Sequence, residues 1–177
     1  MTRRSTFTDQ SVTYGAIGAT LAPDLLRYPP AGYRPSEDAV RLGSGLARFE
    51  RAAEALMTWG IQRGSGFEVS DISTGTGAQY PGIVYDAEGA PLAEQIPVLI
   101  VYVIDEPGRM GFAYGTTAEG PESGEESFIV EHRDDDTVWL TIRSIFATTG
   151  VTAPMQRKRR RELTRLELRA LHPAGGV

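Results

Sequence analysis

The sequence predicts an α+β fold in which a curved antiparallel sheet of about seven strands surrounds one long C-terminal helix. Four strand-like runs follow one another, each closed by a turn: PVLIVYVID (97–105), MGFAYGTT (110–117), EESFIVEH (125–132) and TVWLTIRSIF (137–146). An amphipathic run, PMQRKRRRELTRLELRAL (154–171), follows them. Short connections between successive strands favour antiparallel hairpins. A curved sheet that grips a helix encloses an interior, so the pattern indicates a ligand cavity.

The first helix and its neighbouring strands are predicted from periodicity. Apolar residues recur along 46–62 at helical spacing and form one stripe. They are Leu46, Phe49, Ala53, Leu56 and Met57. Residues 38–45 predict a short strand before this helix, and 66–72 and 81–87 predict weaker strands after it. We expect a loop over 86–95.

An N-terminal arm is expected over residues 1–37. Pro29, Pro30 and Gly32 disfavour a long helix or strand there. At 177 residues, the whole chain, 1–177, is expected to form one domain around which the arm wraps.

Composition excludes several classes of site. A net charge of −5 argues against nucleic acid as the main partner. The absence of cysteine excludes disulfides and thiolate metal ligands. With two histidines, His132 and His172, a multi-histidine metal site is impossible, and we expect neither a metal nor a cofactor.

The hydropathy pattern favours a cytoplasmic protein. No apolar run approaches the roughly 18 residues that would span a membrane. The opening residues MTRRSTFTDQ have no apolar segment after their basic pair, so we expect no secretory signal.

The sequence contains neither a complete dinucleotide-binding motif nor a P-loop, and its one basic run has a simple interpretation. GSGLAR (43–48) resembles the start of a dinucleotide fingerprint, but the third glycine is absent and no βαβ unit follows. The chain contains no GxxxxGK[ST] motif, which excludes a P-loop. The basic run RKRRR (157–161) is interpreted as a solvated helix face.

A further set of motifs carries a family resemblance from Thr13 onward. In chain order they are TYGAIGAT, PPAGYR, RLGSGLARFERAAEALMTW, VYVIDEPGRMGFAYGT and GPESGEESFIVE. Together they resemble an uncharacterised family of domains of unknown function. The order of elements is similar to the helix-grip architecture of START-like and polyketide-cyclase-like proteins. The first resemblance implies no activity, whereas the second implies an internal cavity for an apolar molecule.

Strand alternation selects candidate residues for that cavity. Phe112, Tyr114 and Thr116 share one face of their strand with Met110. Phe128 lies on the same face as Glu126, which would bring Glu126 inward and leave Glu125 in solvent. Both faces of the preceding strand are apolar, so the side on which Tyr102 lies is not fixed by pattern.

Three further residues are candidates for ligand contacts. Arg143 shares a strand face with Trp139 and would either pair with Glu126 or hold a ligand carboxylate. Tyr14, among glycines of the arm, would suit a lid over the cavity. Each candidate also has a structural interpretation: a core aromatic with a satisfied hydroxyl, a carboxylate bonded at a strand start, or a surface arginine.

These observations lead to two functional hypotheses. In the first, the protein binds an apolar small molecule and acts on it as a cofactor-free cyclase, isomerase or dehydratase of secondary metabolism. Glu126 would be the acid or base, and Tyr114 and Tyr102 would be orienting donors. The ligand-binding residues would be Arg143, Tyr14, Phe112, Phe128, Trp139 and Thr116. The alternative is a non-catalytic carrier of a lipid or hydrophobic metabolite.

A weaker third hypothesis is a protein-interaction domain, suggested by the doubly apolar strand 98–104. The protein is expected to be a monomer or a homodimer.

Overall fold

The computed structural model describes residues 12–69, 79–85, 91–117, 122–148 and 153–172. Its strands are β1 (Arg34–Ser44), β2 (Glu68–Val69), β3 (Gln79–Tyr85), β4 (Pro91–Glu106), β5 (Arg109–Thr116), β6 (Glu122–His132) and β7 (Thr137–Thr148). Its helices are α1 (Leu46–Met57), α2 (Gly60–Gly64) and α3 (Ala153–Ala170), and a short 3₁₀ turn spans Ala19–Leu21.

The seven strands form one antiparallel sheet in the order β1-β7-β6-β5-β4-β3-β2. Strands β2 to β6 each pair with the next strand in the chain, and β1 forms the far edge of the sheet beside β7. The helices lie against one face of this sheet. The α+β helix-grip fold predicted from the sequence is therefore confirmed.

We call the face that contacts the helices the inner face. A row of apolar residues crosses the three central strands on this face. Phe112 on β5 pairs with Phe128 on β6, and Phe128 pairs with Ile142 on β7. Against them, α1 contributes the buried side chains of Phe49 and Leu56. Burial of these side chains removes apolar surface from water and fixes the helix on the sheet.

The single helix expected over 46–62 is interrupted. α1 ends at Met57, Trp59 adopts a left-handed conformation with φ of 65°, and α2 begins at Gly60. A side chain at Gly60 would collide with the backbone of Ala55, so glycine permits this sharp break. The break places the Trp59 ring 4.8 Å from the Phe112 ring, which is a core contact.

Two strand boundaries differ from expectation. β1 begins at Arg34 rather than at 38, because its pairing with β7 continues to Phe146, and an edge strand tolerates Pro35. β4 begins at Pro91, so the loop expected over 86–95 is wrong for 91–95, and residues 86–90 lie outside the described ranges.

A bulge in β4 decides which way Tyr102 points. Ile100 pairs with Tyr114, but Tyr102 pairs with Ala113, so Val101 is an extra residue in the ladder. The extra residue turns Tyr102 and Ile104 to the outer face, whereas Val98 and Ile100 remain on the inner face. Simple alternation would have placed all four on one side.

The N-terminal arm covers part of the outer face. Its backbone joins the sheet where the Thr13 amide donates to the carbonyl of Thr116, at 2.9 Å. The Tyr14 ring lies directly over Gly115, and Leu25 is 1% exposed. Leu99 and Ile104, which lie on the outer face of β4, are also buried.

In the described part of the chain, no helix combines the length and apolar character that crossing a membrane requires.

Replacing Gly115 with alanine should displace the arm. The added methyl group would collide with the ring and hydroxyl of Tyr14. We expect Gly115→Ala to lower the free energy of unfolding by about 1 to 3 kcal/mol, measured by urea denaturation. Gly15→Ala is the matched control, because open space surrounds Gly15. Equal stability of the two variants would show that the arm is not held at this contact.

Candidate functional site

The inner face carries a buried carboxylate at Glu126. This residue is 2% exposed and lies between Tyr114 on β5 and Ser144 on β7. The Tyr114 hydroxyl donates to Glu126 Oε2 at 3.0 Å, and Arg160 Nη1 on α3 lies 3.4 Å from Oε1. A hydrogen bond and an opposite charge both favour the ionised form of a carboxyl group. Both contacts of Glu126 therefore act in favour of the carboxylate.

A second carboxyl group, Glu167, reaches the same interior from α3. It is fully buried, and neither of its oxygens has a hydrogen-bond partner among the described residues. Burial raises the pKa of Glu167 well above its ordinary value, and the negative charge of Glu126 raises it further, against the opposing effect of Arg160. The surroundings of Glu167 therefore favour the neutral acid over the carboxylate.

Sequence reasoning missed Glu167. The signal that identifies it is its spacing, since Leu163 and Leu171 stand four residues before and after it. That spacing puts Glu167 on the apolar side of α3, two turns beyond Arg160.

Aromatic rings surround this pair of carboxyl groups. The Tyr114 ring is stacked on Trp59, with centroids 6.2 Å apart, and lies 5.5 Å from the Phe128 ring. Arg160 lies over the Phe146 ring at 3.3 Å. Burial, and then the charge of Glu126, raises the pKa of Tyr114 well above its ordinary value, so its hydroxyl stays protonated and donates. Part of the Tyr114 side chain remains accessible.

Glu125 lies on the opposite face, and its expected exposure to solvent is wrong. It is fully buried beneath the arm, because adjacent residues of a strand point to opposite faces. Its Oε2 accepts from the Tyr14 hydroxyl and the Gly18 amide, both at 2.7 Å. Its Oε1 accepts from the Thr20 amide at 3.1 Å and from the Thr20 hydroxyl. Four donors satisfy this carboxylate and fasten the arm to β6.

Arg143 belongs to the same outer cluster and does not pair with Glu126. Its two terminal nitrogens donate to the carbonyls of Thr20 at 2.7 Å and Ala22 at 2.8 Å. Its Nε lies 2.8 Å from Glu37, at ion-pair distance but without the alignment of a hydrogen bond. The alternation along β7 puts Arg143 opposite to Ser144 and so away from Glu126.

The remaining candidates divide between the two faces. The hydroxyl groups of Tyr102 and Thr20 form a hydrogen bond of 2.7 Å on the outer face, where burial raises the pKa of Tyr102. Burial also raises the pKa of Tyr14, and the charge of Glu125 adds to this effect. The indole nitrogen of Trp139 donates to the Thr137 hydroxyl, and the Arg133 guanidinium lies over the Trp139 ring. The hydroxyl groups of Thr116 and Thr13 form a hydrogen bond. The structure therefore gathers Phe112, Tyr114, Glu126 and Phe128 on the inner face, and it places Tyr14, Tyr102, Arg143, Trp139 and Thr116 elsewhere.

One further buried polar side chain lies on the helical side of the core. Gln62 on α2 is 3% exposed, and neither polar atom of its amide has a hydrogen-bond partner among the described residues. Within the same ranges, no group of three or more histidine, aspartate or glutamate side chains is arranged to hold a metal ion.

Comparison with known proteins defines the family. A family model described as a domain of unknown function, DUF1990, matches residues 13–170. No curated protein matches the chain.

Two solved structures are similar to this chain. The crystal structure of hypothetical protein jhp0584 from Helicobacter pylori has a TM-score of 0.53 at 9% identity, covering 94% of this chain and 97% of that chain. At this identity the likeness concerns the fold alone. The crystal structure of Ara h 8.0201 has a TM-score of 0.46 at 13% identity, covering 78% of this chain and 98% of that chain.

Glu125→Gln should loosen the arm. In the wild type, buried donors reach both oxygens of Glu125. Glutamine has only one side-chain oxygen and places an NH₂ group at the second position, so at least one of these donors loses its acceptor. We expect a loss of about 1 to 3 kcal/mol in the free energy of unfolding, measured by urea denaturation. Tryptic cleavage at Arg27 should also accelerate, and unchanged stability with unchanged cleavage would contradict the role of Glu125.

Glu167→Gln should change how stability depends on pH. The folded protein holds the Glu167 proton more tightly than the unfolded chain does, because the pKa of Glu167 is raised by folding. Stability from this group is therefore complete below the unfolded pKa and is lost as the pH rises through the folded pKa. The variant cannot titrate there, so its stability relative to the wild type should increase as the pH rises above about 4.5.

Thermal unfolding across this pH range measures the effect, and Glu162→Gln is the control because Glu162 is exposed on the same helix. Parallel pH profiles of Glu167→Gln and the wild type would contradict a buried neutral Glu167.

Proposed function

The chain belongs to the DUF1990 family of domains of unknown function, and from its interior site we propose that it binds a small, largely apolar molecule and acts on it by acid–base catalysis. The molecule would lie between the inner face of the sheet and α3, with its body against aromatic side chains and a polar group beside Glu126 and Glu167. Isomerisation, cyclisation and dehydration are the reactions that such a site favours.

The observation that supports catalysis most directly is the unequal surroundings of the two inner carboxyl groups. Arg160 and Tyr114 lie at Glu126 and favour its anion, whereas Glu167 is buried without a hydrogen-bond partner among the described residues, which raises its pKa and favours the neutral acid. Two carboxyl groups whose environments drive their pKa values apart form a natural pair of base and acid. A buried polar group without a partner also calls for a ligand or ordered water to satisfy it.

A proton can circulate between these two groups during an isomerisation. Glu126 would remove a proton from the carbon that lies between a carbonyl group and a carbon–carbon double bond, while Glu167 would give its proton to the carbonyl oxygen, forming a dienol. Glu126 would then return its proton to the far carbon of the former double bond, and Glu167 would recover the enol proton. Both groups finish as they began, so the cycle needs no other reactant. General acid–base catalysis of this kind contributes about 10²- to 10⁴-fold in rate.

The surroundings of the pair suit an apolar body. Besides Glu126 and Ser144, the described inner residues of β5 to β7 include Phe112, Phe128, Val130, Leu140 and Ile142, all buried. Dry apolar walls strengthen the electrostatic interactions at the polar end of the site. The partial accessibility of Tyr114 marks the side from which a ligand would approach.

The same apolar walls also favour the second candidate function, a carrier that binds a hydrophobic metabolite without changing it. The enzyme and the carrier share the interior and differ only in whether the carboxyl pair moves protons. Measuring proton exchange on the bound molecule separates them.

We expect the purified protein to retain a small molecule that native mass spectrometry detects and extraction identifies. Incubation of that molecule with the protein in deuterium oxide should label it at the carbon that receives a proton from Glu126, because Glu126 would exchange its proton with solvent while the dienol is bound. Mass spectrometry measures the label. Glu126→Gln should slow labelling by about 10²-fold or more because the base is removed. Glu162→Gln, on the exposed side of α3, should label at the wild-type rate.

Wild-type-rate labelling by Glu126→Gln would refute the assignment of Glu126 as base. Tight binding with no labelling by the wild-type protein would instead establish the carrier.

A further inference from the structure

The charges of this protein are distributed unevenly. Helix α3 contains seven of the 18 lysine and arginine residues but two of the 23 acidic residues. The helix therefore has a net charge of +5 and the remainder −10, which together give the −5 of the whole chain. An acidic protein with one strongly basic helix has a directional electrostatic field.

The exposed positions of α3 and of the turn after it fall on one arc of the helix. They include five cations, one anion and two apolar side chains: Lys158, Arg159, Arg161, Arg165, Arg169, Glu162, Met155 and Leu166. Successive residues lie 100° apart, so these eight occupy less than half of the circumference. Arg160 and Glu167, which belong to the inner site, lie on the other side.

The cations on this arc have little neutralisation from within the protein. Lys158 pairs with Glu162 at 3.9 Å. Among the described residues, Arg159, Arg161, Arg165 and Arg169 have no carboxylate within ion-pair distance. Four arginines on 18 residues of helix, about 27 Å long, form a positive strip that is available to an external anion.

We propose that the exposed arc of α3 binds the surface of an anionic phospholipid bilayer. The arginines would contact phosphate and carboxylate groups of the lipids, and Met155 and Leu166 would enter the boundary with the acyl chains. Met155 is 68% exposed and Leu166 is 42% exposed, next to Arg159 on the same side of the helix. These apolar side chains favour a lipid surface over a nucleic acid, whose phosphates would leave them in water.

This inference concerns the outer side of α3 and does not depend on the proposed catalysis. The rest of the molecule, with its net charge of −10, would be repelled by an anionic surface, so the protein would bind in one orientation. The inner site would then face away from the lipid headgroups across the thickness of α3.

Sedimentation with vesicles tests the proposal. We expect the full chain to bind vesicles of phosphatidylcholine mixed with phosphatidylserine, not vesicles of phosphatidylcholine alone, and to be released as salt is raised. Replacing Arg161, Arg165 and Arg169 together with glutamine should weaken binding about 100- to 200-fold, since each cation near the surface contributes a factor of about five.

The matched control replaces three exposed arginines elsewhere, Arg34, Arg51 and Arg63, with glutamine. It changes the net charge by the same amount and should bind vesicles like the wild type. Met155→Ser with Leu166→Ser should weaken binding while preserving its salt dependence. Circular dichroism confirms that each variant is folded.

Three results would overturn the proposal: no preference for phosphatidylserine at low salt, equal losses in the α3 variant and its control, or binding to single-stranded RNA but not to vesicles.

Discussion

The alternation of side chains at Glu125 and Glu126 is the constraint on which the rest of the structure depends. Neighbouring residues of a strand must point to opposite faces, so this dipeptide in the middle of the sheet puts one carboxyl group into each layer. A buried carboxylate is costly unless donors or cations satisfy it. The layer on each face of the sheet therefore supplies partners to one of these carboxyl groups. The arm donates hydrogen bonds to Glu125, and α3 places Arg160 beside Glu126.

The two layers satisfy their charges to different extents. Glu125 has donors for both oxygens from Tyr14, Gly18 and Thr20, which is the arrangement of a structural group. On the inner side, Arg160 forms an ion pair with Glu126, whereas Glu167 has no hydrogen-bond partner among the described residues. Stability alone would favour an apolar residue at 167, so the buried carboxyl group agrees with the acid role proposed for it.

Local pattern was sufficient where the backbone is regular. The alternation along β5 and β6 correctly predicted that Tyr114, Glu126 and Phe128 share the inner face. It failed for Tyr102, because a one-residue bulge has no signature in an apolar run such as PVLIVYVID. It failed for Glu125 because burial there comes from an arm more than one hundred residues away in the chain. Non-local contacts of this kind leave no periodic trace in the sequence.

Helix α3 shows how the proposed site would couple to the stability of the fold. Its buried side includes Thr164 and Glu167 beside Leu171, so the helix removes less apolar surface from water than an aliphatic face would. Elements held by few apolar contacts open at lower free energy than the core. A ligand that accepts a hydrogen bond from Glu167 would stabilise the closed arrangement by mass action. If the protein binds a ligand as proposed, the buried acid would make α3 less stable in the empty protein and more stable in the complex.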